Sequence, residues 1–526
     1  MAAVESQATA PPGPNTSNRT RSVGLALGVV AFTLLTVFPL VPDNDPASRL
    51  AAVAALMAIW WMTEAIPLFA TALLPLVLFP LLGIMSGKEA APSYINSTIV
   101  LFIGGFMIAL TMQRWNLHRR IALNIIRLVG GGPARIVLGF MIAAAFLSMW
   151  ISNTATAVTM VPMGLAIVLQ VEERMSAGHS GAHRFAVGLM LGIAYGCSVG
   201  GMTTLVGTPP NLSLVRIFEI LFPDAPAIAF GQWLIVAFPV GAVMLVTAWL
   251  VITRVLYRAP AEVKVDKDVV ETELARLGPI TYEERAVLAV FAATAFLWVF
   301  RVDLNLGTFT LPGWSRLLPW PGLVDDGTVA ITMASVLFFL PGRNPDGERT
   351  RLMGTEVIPR LPWNVVLLIG GGFALAAAFQ QTGLAQFIGG QFAAAGALPV
   401  FVLILLVCLA LTFLTELTSN TATTEMILPI LASVAVVTGT HPLMLMIPAT
   451  MSASCAFMMP VATPPNAIVF GSNRLTIAEM ARAGIILNLI GALVIASVVY
   501  TVGLVVFDIE PGVLPDWAHA LSAGEH

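Results

Sequence analysis

The chain is 526 residues long, 57% hydrophobic and only 10% charged, with a mean hydropathy of +0.88 and a formal net charge of −3. So little charge cannot cover the surface of a soluble protein of this size. Apolar runs of about 17–25 residues recur along the chain, and they are continuous rather than alternating, which predicts an all-α polytopic membrane protein and excludes a β-barrel.

Residues 1–22 form a Pro/Ala/Thr/Asn-rich tail, expected to be disordered and cytoplasmic. The first apolar run, Val23–Val41, has no convincing cleavage site after it and reads as a span rather than a signal peptide. Spans follow at 50–66, 68–84 and 97–113, and others begin near 185, 229, 281, 328, 363, 441 and 480. Two more segments, 134–170 and 399–437, carry the pentapeptide SNTAT near their middles, at 152–156 and 419–423. Each half of such a segment is roughly a dozen to twenty residues, which suits a re-entrant hairpin that enters and leaves on one side. The sum is eleven spans plus two hairpins, with the C-terminus outside.

Lys and Arg favour the cytoplasmic side. With the N-terminus inside, 21 of the 26 fall in inner loops, and Arg49, Lys88, Arg216, Arg301 and Arg316 lie outside. Reading each SNTAT segment as a single span destroys this separation. Cys197, Cys408 and Cys455 are isolated, with no CxxC or Cys/His cluster, so neither a disulfide framework nor a zinc site is expected.

The two halves match in order. FIGGFMIAL (102–110) aligns with IGGGFALAA (369–377), and LSMWISNTAT (147–156) with LTELTSNTAT (414–423), both offset by 267. VGTPPNLSLV (206–215) aligns with VATPPNAIVF (461–470) at an offset of 255. The span order runs the two GGF helices in opposite directions, so this is an inverted repeat of the kind found in secondary transporters.

Ser152, Asn153, Ser419 and Asn420 suit two roles at a hairpin tip: capping the second hairpin helix, and offering oxygens to a small cation or ligand. Ser148 and Thr415 lie four residues earlier, one helical turn below on the same face. The paired prolines predict unwound breaks near Gly207–Asn211 and Ala462–Asn466, or simple kinks. The GGF glycines suit close packing or, as the alternative, a direct place in the site. Glu416 and Glu425 flank only the second SNTAT, and read either as tuning charge along an access path or as local pairing. No repeated Asp/Glu/His relay exists, which favours sodium over proton coupling. Ser152 and Ser419 lack a neighbouring His or Lys, so an enzyme is not expected.

Paired SNT motifs, each followed by a TPP break, together with WMTEAIPLFATALLPLVLFPLLGIM (61–85), resemble the divalent anion/sodium symporter family over about residues 23–508. The resemblance implies sodium-coupled import of dicarboxylates of the succinate, malate and fumarate class by an elevator mechanism, in a plasma (inner) membrane homodimer. Sodium ions would be the coupling ions, with no other cofactor and no nucleic acid. An exchanger, or a sulfate or citrate transporter of the same family, is the alternative. The first sodium site would use Ser148, Ser152, Asn153 and Gly201, and the second Thr415, Ser419, Asn420 and Ala462. Substrate would meet Ser152, Asn153, Thr154, Ser419, Asn420, Thr421, Thr463 and Pro464. Met202 follows Gly201 where the family has a hydroxyl, and Thr203 is the substitute. Scaffold helices would occupy 23–113 (which also opens the first repeat) and 229–362, and transport-domain halves 114–228 and 363–478. The last helix and an extracytoplasmic tail would fill 479–526.

Overall fold

The computed structural model describes residues 18–175, 180–258, 268–305, 307, 309–344 and 346–521. Most of the expected disordered tail, together with Lys264, Lys267 and the last five residues, lies outside them.

The chain is helical nearly throughout. In order, the helices that organise it are α1 (Asn18–Val37), α2 (Asp45–Thr63), α3 (Ser97–Arg114), α4 (Leu117–Val129), α5 (Pro133–Ser148), α6 (Asn153–Arg174), α7 (Ser180–Met202), α8 (Pro209–Leu221), α9 (Phe230–Leu250), α10 (Asp268–Leu277), α11 (Tyr282–Val299) and α12 (Asp326–Phe339). The second half adds α13 (Trp363–Thr382), α14 (Leu384–Gly390), α15 (Val400–Leu414), α16 (Asn420–Val437), α17 (Leu443–Ala453), α18 (Pro464–Phe470) and α19 (Ile477–Val498). Two small antiparallel ladders, Leu304–Asn305 with Thr310–Leu311 and Pro341–Arg343 with Arg349–Arg351, lie in connecting loops. Among the described residues, eight helices are long and apolar enough to cross a membrane. Five shorter apolar helical segments accompany them, including the interrupted Leu68–Leu81 and α5 and α15, the first limbs of the two SNTAT segments.

Contacts at the chain's turning points show that both SNTAT segments are hairpins. At the first, the Ala134 carbonyl accepts from Trp249 Nε1 at 2.8 Å, and Tyr257, seven residues beyond Leu250, donates to the Glu479 carbonyl at 2.7 Å. Glu172, near the end of α6, pairs with Arg474 at 2.9 Å, and His183 meets Glu479 at 2.9 Å. Residues 134 and 172 therefore lie on one face of the protein. At the second hairpin Gly396, just before α15, packs against Thr438, just after α16. Phe401 stacks edge-on against Tyr500, beyond the far end of α19. The two hairpins thus open on opposite faces, which is the inversion read from the repeat.

The break helices agree. The pair α7–α8 starts beside Glu479 and ends at Phe218 and Phe222, which pack on Trp517. The pair α17–α18 starts beside His441, which also packs on Trp517, and ends beside Glu172. Likewise α3 ends at Arg114, which pairs with Glu356 just ahead of α13.

Two details differ from the sequence expectation. The span at 68–84 is split into Leu68–Thr71 and Leu74–Leu81, because Pro75, in the first turn of the second piece, has no N–H to carry the helix across residues 72–73. The prolines of both TPPN motifs do not lie in unwound chain. They open α8 and α18, where a missing N–H costs nothing, and the breaks proper are residues 203–208 and 454–463.

The GGF glycines serve packing. A side-chain carbon on Gly104 would sit 2.7 Å from the Ala330 backbone of α12, and one on Gly371 would overlap the Ala72 backbone. These close approaches hold α3 on α12 and α13 on the split third segment.

Candidate functional site

Each hairpin turns at its SNT motif. Ser148 is the last residue of α5 and is fully buried, and its hydroxyl donates to Asn153 Oδ1 across the turn. Thr415, also fully buried, does the same to Asn420 Oδ1 at 2.5 Å and reaches the Ala453 carbonyl at 2.9 Å. Ser152 and Ser419 cap α6 and α16, accepting from the N–H groups of Ala155 (3.2 Å) and Ala422 (3.5 Å). Capping uses one lone pair of each hydroxyl and leaves oxygen capacity over. Asn153 with Thr154, and Asn420 with Thr421, are the first two residues of these helices. Ser152, Asn153, Thr154, Ser419 and Asn420 are half-buried, while Thr421 is buried.

The breaks form the facing wall. In the first, Gly201 lies directly against the Asn153 amide, where any Cβ would overlap it. Gly200 packs equally tightly on the Ala145 backbone. These two glycines let the break approach hairpin backbone and side chain without obstruction. In the second, Ala462 and Thr463 are buried and Pro464 is exposed.

Both breaks are braced by the Asn of TPPN. Asn211 Nδ2 donates to the carbonyls of Gly201 (3.3 Å), Met202 (3.3 Å) and Thr204 (2.7 Å). Asn466 Nδ2 donates to those of Ala456 and Met459, both at 3.0 Å. Asn211, Gly201 and Thr204 each stand 255 residues before Asn466, Ala456 and Met459, so the repeat extends to individual hydrogen bonds.

The same register identifies residues that the sequence reading passed over. Gly207 and Thr208 correspond to Ala462 and Thr463. Thr208 occupies the N-cap of α8 at φ −147°, ψ 143°, and Thr463 that of α18 at φ −141°, ψ 150°. The aligned VGTPPN and VATPPN segments carried that signal. Thr203 turns elsewhere: its hydroxyl donates to the Gly200 carbonyl at 2.6 Å and its methyl fills the space over Gly241 of α9. The hydroxyl that reaches the hairpin is that of Thr204, which donates to the Met149 carbonyl.

The halves also interlock. The post-break helix α8 packs against α13, α16 and α17 of the second half, while α18 packs against α6 and α7 of the first. Tyr195 of α7 donates to the Phe457 carbonyl in the second break at 2.9 Å.

Glu416 is an internal brace. Its carboxylate accepts from the successive N–H groups of Phe457 (2.8 Å), Met458 (2.9 and 3.0 Å) and Met459 (3.0 Å), and from Asn488 Nδ2 at 2.7 Å. Consecutive amides of this kind form an anion-holding nest. Met149 occupies the corresponding place in the first half, where the Thr204 hydroxyl ties the break to the hairpin instead. No Lys or Arg falls between Arg135 and Arg174, or between Arg360 and Arg474, so the turn of each hairpin is free of basic residues, and Arg135 and Arg174 stand at the outer ends of the first.

The model of the sodium:sulfate symporter transmembrane region matches residues 19–509. The chain is similar to the sodium-dependent dicarboxylate transporter SdcS of Staphylococcus saprophyticus, with 40% identity over 91% of this chain and 90% of that one. To SdcS of Staphylococcus aureus strain NCTC 8325 the identity is 41%, over 93% and 92%. Its fold is similar to that of the YdaH transporter of Alcanivorax borkumensis, at a TM-score of 0.50 and 14% identity, covering 93% of this chain and 98% of that one. A family match over nearly the whole chain, the inverted repeat and the paired SNT hairpins together establish that this multi-pass membrane protein belongs to the divalent anion/sodium symporter family.

Proposed function

We propose that the protein is a sodium-coupled importer of dicarboxylates of the succinate, malate and fumarate class. The observation that carries this reading is the pair of hydroxyl–amide clusters, Ser148–Asn153 and Thr415–Asn420, set at two hairpin turns from which Lys and Arg are absent. The names of the SdcS relatives support it.

Ser148, Ser152 and Asn153 with the Gly201 carbonyl would take one sodium ion, and Thr415, Ser419 and Asn420 with the Ala462 carbonyl another. Hard cations prefer such oxygens. The substrate carboxylates would lie between the SNT side chains, with Thr463 and Pro464 on one side and Thr208 on the other. Thr208 takes the place held by Thr203 in the sequence expectation. The N-termini of α6, α8, α16 and α18 would supply positive dipole ends to the dianion. Dipoles alone do not offset the burial of two negative charges, so the bound sodium ions complete the site and couple the fluxes.

Residues 114–228 and 363–478 would move as the transport domain against the remaining helices, in a plasma-membrane homodimer with a cytoplasmic N-terminus. Uptake of labelled succinate into proteoliposomes without internal substrate tests the reading. An inward sodium gradient should drive accumulation; uptake only when dicarboxylate is preloaded inside would make the protein an exchanger instead.

A further inference from the structure

We propose that Glu425 is a proton-binding site, a carboxyl group kept neutral by a bound proton, which latches the first half's α8 to the second half's α16. The inference does not depend on the substrate assignment.

Glu425 is completely buried, at 0% exposure, one turn beyond Thr421 on α16. Its Oε1 makes a close contact with the Ser213 hydroxyl of α8, and its Oε2 has no hydrogen-bond partner. Ser213 has one hydroxyl hydrogen but two acceptors in reach, Glu425 Oε1 and the Pro209 carbonyl at 3.2 Å. An ionised Glu425 would compete with Pro209 for that hydrogen and leave a bare charged oxygen in the core. A proton on Oε1 removes both problems. Glu425 then donates to Ser213 Oγ, Ser213 donates to the Pro209 carbonyl, and the uncharged Oε2 is merely an unpaired acceptor.

Among the described residues, no ion pair to Glu425 competes with this arrangement. Of the helices packed on α16, α13, α14 and α17 contain no ionisable side chain. From α8 come Arg216 and Glu219, paired with each other at 3.1 Å, and from α2 come Asp45 and Arg49, paired at 3.4 Å, with Glu64 capping its far end. The segment Asp516–Leu521 brings Asp516 and His519. On Glu425 itself the side-chain hydrogen bond is to Ser213, and Oε2 has none. Sodium does not fit as the occupant. Gly372 of α13 presses its bare Cα on the carboxyl, so that any Cβ there would overlap Oε2, and among the described residues the side-chain oxygen hydrogen-bonded to the carboxyl is that of Ser213, short of the several a hard cation needs. The third glycine of α13's GGG run thus makes the room for this carboxyl.

Infrared difference spectroscopy on the purified full chain at neutral pH tests the proposal, using Glu425→Gln and Ser213→Ala. Wild type minus Glu425→Gln should show a protonated-carboxyl carbonyl band and no carboxylate band. Ser213→Ala should keep the carbonyl band and move it to higher frequency, because its hydrogen bond is gone. A carboxylate band lost in Glu425→Gln, or a carbonyl band that Ser213→Ala leaves unmoved, overturns the assignment. If Glu425→Gln does not fold, the Ser213→Ala comparison decides alone. Loss of the band on adding sodium would make sodium the occupant and overturn it too. A folded state that holds a proton the unfolded chain lacks is destabilised as pH rises. Wild type should therefore lose thermal stability on alkalinisation more steeply than Glu425→Gln, and parallel loss in both proteins would contradict the proton.

Discussion

Thr415 donates its hydroxyl hydrogen to Asn420 Oδ1 at 2.5 Å, across the turn of the second hairpin. Ser148 and Asn153 form the same pair 267 residues earlier. In each pair the oxygen proposed to hold a cation is satisfied by a neighbouring hydroxyl. A sodium ion entering there must turn that hydroxyl hydrogen away and take both oxygens. The buried hydroxyl is thus both a ligand and the group that keeps the amide oriented before the ion arrives.

Removing either amide should therefore harm ion and substrate binding together. Asn153→Ala and Asn420→Ala should each raise the sodium concentration for half-maximal transport by about tenfold or more, equivalent to ~1.4 kcal/mol. Succinate affinity should fall in the same variants. Uptake measured over a range of sodium concentrations checks this, and a variant with wild-type values would remove its half of the site.

Glu416 should matter for structure more than its neighbours suggest. Three backbone donors and Asn488 converge on its carboxylate, and Glu416→Ala strands all of them. Hydrogen bonds to charged groups contribute about 1.5–3 kcal/mol each, so the loss should exceed that of any single bond. Asn488→Ala should cost less, because the backbone nest survives. The double variant should be non-additive, since the two residues share one interaction. Thermal unfolding in detergent gives the ranking; equal effects of the two single variants would contradict it.

The glycines of the first GGF motif should separate cleanly. Gly104→Ala forces a carbon to 2.7 Å from the Ala330 backbone, which cannot yield without moving α12. Gly105→Ala meets Val206 at 3.4 Å, an ordinary contact. Overpacking of the first kind costs about 1–3 kcal/mol, and the second substitution should be close to neutral. Folded yield and unfolding temperature of the two variants test this; a neutral Gly104→Ala would refute the packing role.

Topology gives a further prediction. Glu172 and Arg474 share one face, and Phe222 and His441 lie near Trp517 on the other. Single cysteines at Glu173 and Asp224, in a background without the three native cysteines, should react with impermeant reagent from opposite sides. The first should react from the cytoplasm. Reaction of both from one side would contradict the hairpin arrangement.

Much of this was legible in the sequence because the repeat is literal. Two copies of SNTAT, each with a hydroxyl four residues earlier, located both hairpin turns and the side chains that meet there. Partners across the fold were not legible. Glu416 adjoins Thr415, yet its backbone donors are 41–43 residues away, in chain that only the break brings near, and Asn488 is 72 away. Local spacing could not separate Thr203 from Thr204, because residues in an irregular break have no fixed period. Nor did proline's helix-breaking reputation reveal that Pro209 and Pro464 start helices, since a first-turn proline and an interior one look alike without the cap.

The central claim is that sodium ions are the countercharge that lets hydroxyls and helix ends hold a dianion. Calorimetric titration of the purified protein with succinate, in choline buffer and then in sodium buffer, tests it most directly. Binding should be weak or undetectable in choline and should tighten steeply with sodium, with at least two ions taken up per succinate. Equally tight succinate binding in sodium-free buffer would contradict the account.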